Sequence, residues 1–189
     1  RMKPRTTAQL SRAALIAALY MVLTLVPPFN ALSFGAVQFR LGEALVLLPF
    51  LLDEAVPGVV AGCLVANFFS PFGIVDVVVG TGVTLSAALL TRSLRRTRRA
   101  WLGAMPPILL NAVVVPLYVS TLTLPAATAG SRPASIGQAL AFAWSHLSWS
   151  VYIPVAATIL AGEAAVVLLL GLPLLGLVRR YMNPSREAL

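Results

Sequence analysis

Of the 189 residues, 59% are hydrophobic and 11% charged, against about 25% charged in soluble domains. With a mean hydropathy of +0.90, this excludes an ordinary water-soluble globule, and lipid is the expected solvent. The formal charge of +8 could suit nucleic acid, but twelve of the fourteen Lys and Arg residues fall in three groups beside apolar runs (residues 1–12, 92–99 and 179–186). That is the positive-inside pattern of a membrane protein rather than an RNA-binding stripe.

The chain opens basic and turns apolar, as a secretory signal does. No small-residue cleavage site follows, and Pro27-Pro28 closes a run of spanning length, so a retained first helix is predicted over 9–27. It carries two small-xxx-small pairs, Ala13/Ala17 and Ala14/Ala18, which allow close approach of another helix. Residues 29–38 read as an outer loop. Two short helices follow, 39–52 and 56–69, either as brief crossings or as a re-entrant hairpin, since a bilayer normally takes about 20 residues. Within the first, Arg40 and Glu43 stand at i, i+3 and predict an ion pair on one helix face. In the second, Gly58, Gly62 and Ala66 form a close-packing stripe with Asn67 beside it. The lone Cys63 excludes a disulfide and a cysteine metal cluster, and reads as a buried, inert thiol.

A fourth helix, 74–90, has Asp76 near its outer end and Gly80 one turn below. A fifth, 102–124, runs through Pro106, Pro107 and Pro116, with Asn111 and Tyr118 seven apart on one face. Residues 125–137 read as a flexible outer loop. The sixth helix, 148–178, carries a stripe of His146, Trp149, Tyr152, Ala156, Ile159 and Glu163 at spacings of three and four. The expected architecture is one all-α transmembrane domain over 1–189, with six crossings and both termini cytoplasmic. No internal repeat of the inverted-transporter kind stands out.

Catalysis finds little support. A single histidine excludes an H-E-x-x-H site, no glycine-serine elbow accompanies it, and neither a phosphate loop nor a dinucleotide fingerprint occurs. The chain is therefore expected to be no enzyme and to hydrolyse no ATP itself. Binding fits better: Gln38, Arg40, Glu43, Asn67, Asp76, Tyr118, Trp149 and Tyr152 gather toward the outer ends of several helices, where flat apolar walls with a few polar groups make a small-ligand site. Charged groups in a bilayer cost about 2.5–3.5 kcal/mol each on insertion scales, so Asp76 must meet something polar. Trp149 and Tyr152 fit an interface belt equally well. Glu163 sits deeper and fits either a packing network or a proton site of a secondary transporter.

The run Ser33-Phe34-Gly35-Ala36-Val37-Gln38-Phe39-Arg40, with Glu43-Ala44-Leu45 and Leu48-Pro49-Phe50, resembles the QueT family. Gly62-Cys63, Ala66-Asn67, Asp76-Val77-Val78 with Gly80, Ala87-Ala88 with Leu90-Thr91, Gly162-Glu163 and Gly171-Leu172-Pro173 continue the likeness. Two departures stand out: Gly42 where a serine is common, and Thr81-Gly82 in place of a serine-leucine pair. The resemblance implies a substrate-binding (S) component of an energy-coupling factor (ECF) transporter in a bacterial cytoplasmic membrane. It implies a six-helix fold and an outward site capped by the loop after the first helix. It also implies partners: a membrane coupling subunit docked on Ala13, Ala14, Ala17 and Ala18, and two ATPase subunits that use the ATP, with no cofactor in this chain. The implied ligand is a queuosine precursor, queuine or a related 7-deazaguanine. Asp76, then Glu43, would read its N–H edge, Asn67 and Gln38 its carbonyl edge, with Trp149 or Tyr152 as stacking platform and Arg40 orienting Glu43. The alternatives are an S component for another vitamin or nucleobase, and a proton-coupled secondary transporter working through Glu163 and Asp76.

Overall fold

A computed structural model describes residues 6–33, 38–122 and 135–182, and among them all regular structure is helical. Helix α1 (Thr7–Leu25) starts at a reciprocal cap: the Thr6 hydroxyl accepts from the Gln9 N–H, and the Gln9 side chain accepts from the Thr6 N–H. A short helix, α2 (Phe29–Ser33), occupies the start of the segment expected as loop; residues 34–37 lie outside the described part.

Helix α3 (Leu41–Phe50) is a 3-10 helix, and every residue from Gly42 to Phe50 is buried. Helix α4 (Ala55–Asn67) follows after a tight turn. At about 2.0 Å per residue for a 3-10 helix and 1.5 Å for an α-helix, both are roughly 20 Å long, short of the ~30 Å hydrocarbon core. Helix α5 (Asp76–Thr97) opens with a π-turn, Asp76–Gly80, and α6 (Ala100–Leu122) runs unbroken through its three prolines. Helix α7 (Ile136–Ser145) was not anticipated. It is capped by Ser135, whose hydroxyl accepts from the Gln138 N–H. Helix α8 (Trp149–Met182) has a second π-turn at Val167–Gly171. The predicted stripe is therefore cut at its head: His146 ends α7 and stacks on Phe142, while α8 begins at Trp149.

Among the described residues four helices, α1, α5, α6 and α8, are long and apolar enough to cross a membrane, and α3 and α4 are shorter apolar helices. Helix α3 is the pillar of the bundle. One side packs with α1, α4 and α5 through Tyr20, Leu45, Val46, Leu48, Val59 and Ala87. The other packs with α6 and α8 through Leu47, Phe50, Ile108, Val167 and Leu175. Leucines such as Leu15, Leu19, Leu109 and Leu169 point outward, as a lipid-facing surface requires.

Glycines set the tightest approaches. A Cβ on Gly58 would sit 2.8 Å from the Ala13 carbonyl, and one on Gly62 2.8 Å from that of Ala17. The predicted stripe of α4 is thus spent against α1. At the arginine-rich end, Asp53 takes Arg92 and Arg95 (2.8 and 2.6 Å), and Glu54 takes Arg12 (2.6 Å), tying the α3–α4 turn to α1 and α5.

Candidate functional site

Away from the arginine-rich end, the bundle encloses polar groups that lipid would not tolerate singly. Asp76, fully buried at the head of α5, is the hub. Its Oδ1 accepts from the Tyr118 hydroxyl of α6 at 2.5 Å, and its Oδ2 faces the Arg40 guanidinium at 3.4 Å. The Asn67 amide donates to the Asp76 backbone carbonyl (2.8 Å) and to Thr81 Oγ1 (3.2 Å), holding the π-turn against α4. Gly80 makes room for this, since a Cβ there would lie 2.5 Å from Asp76 Oδ1.

A second group adjoins the first through residues 38–43. Glu43, also fully buried, accepts from the Tyr20 hydroxyl of α1 at 2.5 Å and from the Asn111 amide of α6 at 3.4 Å. Glu163 of α8 lies beside Glu43 and the same Asn111 amide. Helix α8 comes this close because Gly162 admits the Gln38 carbonyl, which a Cβ would meet at 1.9 Å. On the far side of Tyr118 an apolar cavity of about 180 Å³ opens between α5, α6 and α7, with Val79, Leu117, Leu140 and Trp144 in its wall.

Of the residues singled out from sequence, Arg40, Asp76, Asn67 and Tyr118 converge directly, Glu43 stands next to them, and Gln38 is buried on the same segment. Arg40 precedes α3 in extended backbone, so the helical i, i+3 geometry expected with Glu43 does not arise, and its guanidinium reaches across to Asp76. The Asn67 amide hydrogens are committed to α5 and leave no free donor for a carbonyl edge; the Asn67 Oδ1 remains unpartnered. Trp149 is 68% exposed, and Tyr152 donates to the Val113 carbonyl on the surface of α6, so neither joins the cluster as a platform. Ala13 and Ala17 are half-buried against α4, while Ala14 and Ala18 are exposed. Sequence reasoning missed Tyr20 and left Asn111 without a role. The signal for both was the same, a hydrogen-bonding side chain inside an apolar run.

A family profile described as QueT transporter matches residues 10–180. The chain belongs to the QueT transporter family. A curated relative, "Queuosine precursor transporter QueT" of Lactococcus lactis subsp. cremoris (strain MG1363), is 40% identical over 84 residues, covering 44% of this chain and 49% of that protein. The match thus spans about half the length of the curated relative. No solved structure matches. The residues of both polar groups fall inside the QueT-matched region.

Proposed function

We propose that the chain is the substrate-binding membrane subunit of an ECF importer and captures a queuosine precursor, a 7-deazaguanine, from outside the cell. The observation that carries this reading is the group Arg40–Asp76–Tyr118, buried away from the arginine-rich end of the bundle in a member of the QueT family. A guanine-like edge offers a carbonyl acceptor beside N–H donors. Arginine is the commonest partner of that carbonyl in nucleic-acid recognition, which suits Arg40. An ionised carboxylate has about four lone-pair sites; Asp76 uses two in the chain and keeps two for the N–H donors. Tyr118 holds Asp76 in place and turns its other side to the apolar cavity.

On this reading six segments cross or enter the bilayer in a bacterial plasma membrane, with the arginine-rich end and both termini on the cytoplasmic side. Energy comes from a coupling subunit and two ATPase subunits, and the exposed pair Ala14 and Ala18 is the docking face. The deciding experiment is calorimetry of the purified chain against deazaguanines and vitamins. Binding of a deazaguanine that Asp76→Asn abolishes supports the reading; tight binding by that variant removes Asp76 from the site. Uptake that stops on ATP depletion but survives collapse of the proton gradient separates the importer from a proton-coupled carrier using Glu163 and Asp76.

A further inference from the structure

The arginine-rich end carries more positive charge than its carboxylates can meet. Asp53 takes Arg92 and Arg95, and Glu54 takes Arg12. Between Asp76 and Glu163 the sequence holds no acidic residue. Among the described residues Arg96, Arg98, Arg99 and Arg179 form no ion pair, and all four are exposed. Three of them crowd the turn that joins α5 to α6. There Arg98 is the one non-glycine among the described residues with a positive φ, 57°. Glycine would take that conformation without steric cost, so the chain holds a strained backbone with a cation on it. Arg179 stands at the same end. Ala104 and Leu175 share a core cluster; Arg179 lies one turn past Leu175 and Ala100 one turn before Ala104, so both run out toward the α5–α6 turn. Trp101 on α6 and Tyr181 on α8 are exposed beside these arginines, and such aromatics settle at headgroup depth.

We propose that Arg96, Arg98 and Arg99, with Arg179 at the same rim, bind the phosphate headgroup of an anionic phospholipid in the leaflet at the arginine-rich end. Guanidinium groups grip phosphate oxygens through paired hydrogen bonds, and basic clusters at the ends of membrane helices hold anionic headgroups in this way. A lipid suits the surface better than a soluble phosphate does. Toward the bilayer centre the outward faces of α6 and α8 are apolar, with Trp101, Leu109, Leu170 and Leu177 exposed. The headgroup meets the unpaired cations while the acyl chains of the same molecule lie along those faces. Arg92 and Arg95, held by Asp53, stay outside the site. The assignment is independent of the Asp76 group and holds whichever molecule is transported.

The test titrates the full chain in detergent with phosphatidylglycerol or phosphatidylcholine of matched acyl chains and counts bound lipid by native mass spectrometry. The wild-type chain is expected to bind the first phosphatidylglycerol about tenfold or more tightly than phosphatidylcholine, each unpaired arginine contributing about fivefold. Arg98→Gly and Arg99→Gln should each weaken phosphatidylglycerol by about fivefold and leave phosphatidylcholine unchanged. Arg95→Gln removes the same formal charge from a side chain already paired with Asp53, and should change either lipid by less than about twofold. Arg98→Gly also relieves the positive φ, so its thermal unfolding midpoint should hold or rise; should it fail to fold, Arg99→Gln carries the same comparison. Equal binding of the two lipids by the wild type overturns the lipid assignment in favour of an acidic protein surface. Equal losses in Arg95→Gln and Arg99→Gln overturn the site in favour of diffuse charge. Inorganic phosphate that displaces phosphatidylglycerol at equal concentration overturns it in favour of a soluble anion.

Discussion

The Tyr118 hydroxyl donates to Oδ1 of Asp76 at 2.5 Å, joining the last turns of α6 to the head of α5. The bond is wholly buried and its acceptor is a carboxylate. Removing the donor strands a charged oxygen, which costs about 1–3 kcal/mol. Tyr118→Phe should therefore lower the thermal unfolding midpoint in detergent and weaken deazaguanine binding together. An unchanged midpoint would mean that the hydroxyl is not holding Asp76.

Arg40 and Asp76 pair at 3.4 Å with 6% and 0% side-chain exposure. Deleting one partner of a buried pair typically costs about 3–5 kcal/mol, whereas replacing both can be nearly neutral. Arg40→Met alone should be severely destabilised, and Arg40→Met combined with Asp76→Asn should recover much of the loss while still binding no ligand. Additive losses in the double variant would show that the two side chains act independently.

Glycines on α4 and α5 offer an internal control. An added methyl at Gly62 would lie 2.7 Å from Tyr20 Cβ and 2.8 Å from the Ala17 carbonyl, while at Gly82 nothing stands within 4 Å. Gly62→Ala should cost about 1–3 kcal/mol by overpacking. Gly82→Ala should be neutral or stabilise by up to ~1 kcal/mol through helix propensity. Thermal unfolding of the two variants side by side checks both signs.

The two alanine pairs of α1 should separate in the same way. Ala14→Leu and Ala18→Leu alter an exposed face and should leave folding and ligand binding intact while blocking co-purification with a coupling subunit. Ala13→Leu or Ala17→Leu meets α4 and should disrupt the chain itself. Normal co-purification of both Ala14→Leu and Ala18→Leu would move the docking face elsewhere.

Much of the bundle was readable before any coordinates, because membrane helices announce themselves as long apolar runs between basic groups. The boundaries expected at 39–52 and 56–69 correspond to Leu41–Phe50 and Ala55–Asn67, and the convergence of Arg40, Asn67 and Asp76 followed from the cost of polar groups in lipid. Three things were not readable. A segment buried on all sides has no amphipathic period, so nothing in Leu41–Phe50 distinguishes a 3-10 from an α-helix. The partner of a charged residue is chosen by tertiary geometry, so Arg40 found Asp76, 36 positions away, rather than the near neighbour its spacing suggested. Residues 136–145, with Gly137 near their start, lay beside a stretch rich in Ala, Gly, Ser, Thr and Pro that masked a helix whose cap, Ser135, is clear only in hindsight.

The π-turn at Asp76–Gly80 closes with the Thr81 N–H on the Asp76 carbonyl, five residues back. Such a turn holds one residue more than its neighbours, and at 3.6 residues per turn one residue is worth a rotation of about 100°. The half-exposed Val78 can then be exchanged for any lipid-compatible side chain, yet excising it would let the helix wind evenly and swing Asp76 out of phase with Arg40 and Tyr118. At this point the protein is indifferent to spelling and strict about counting.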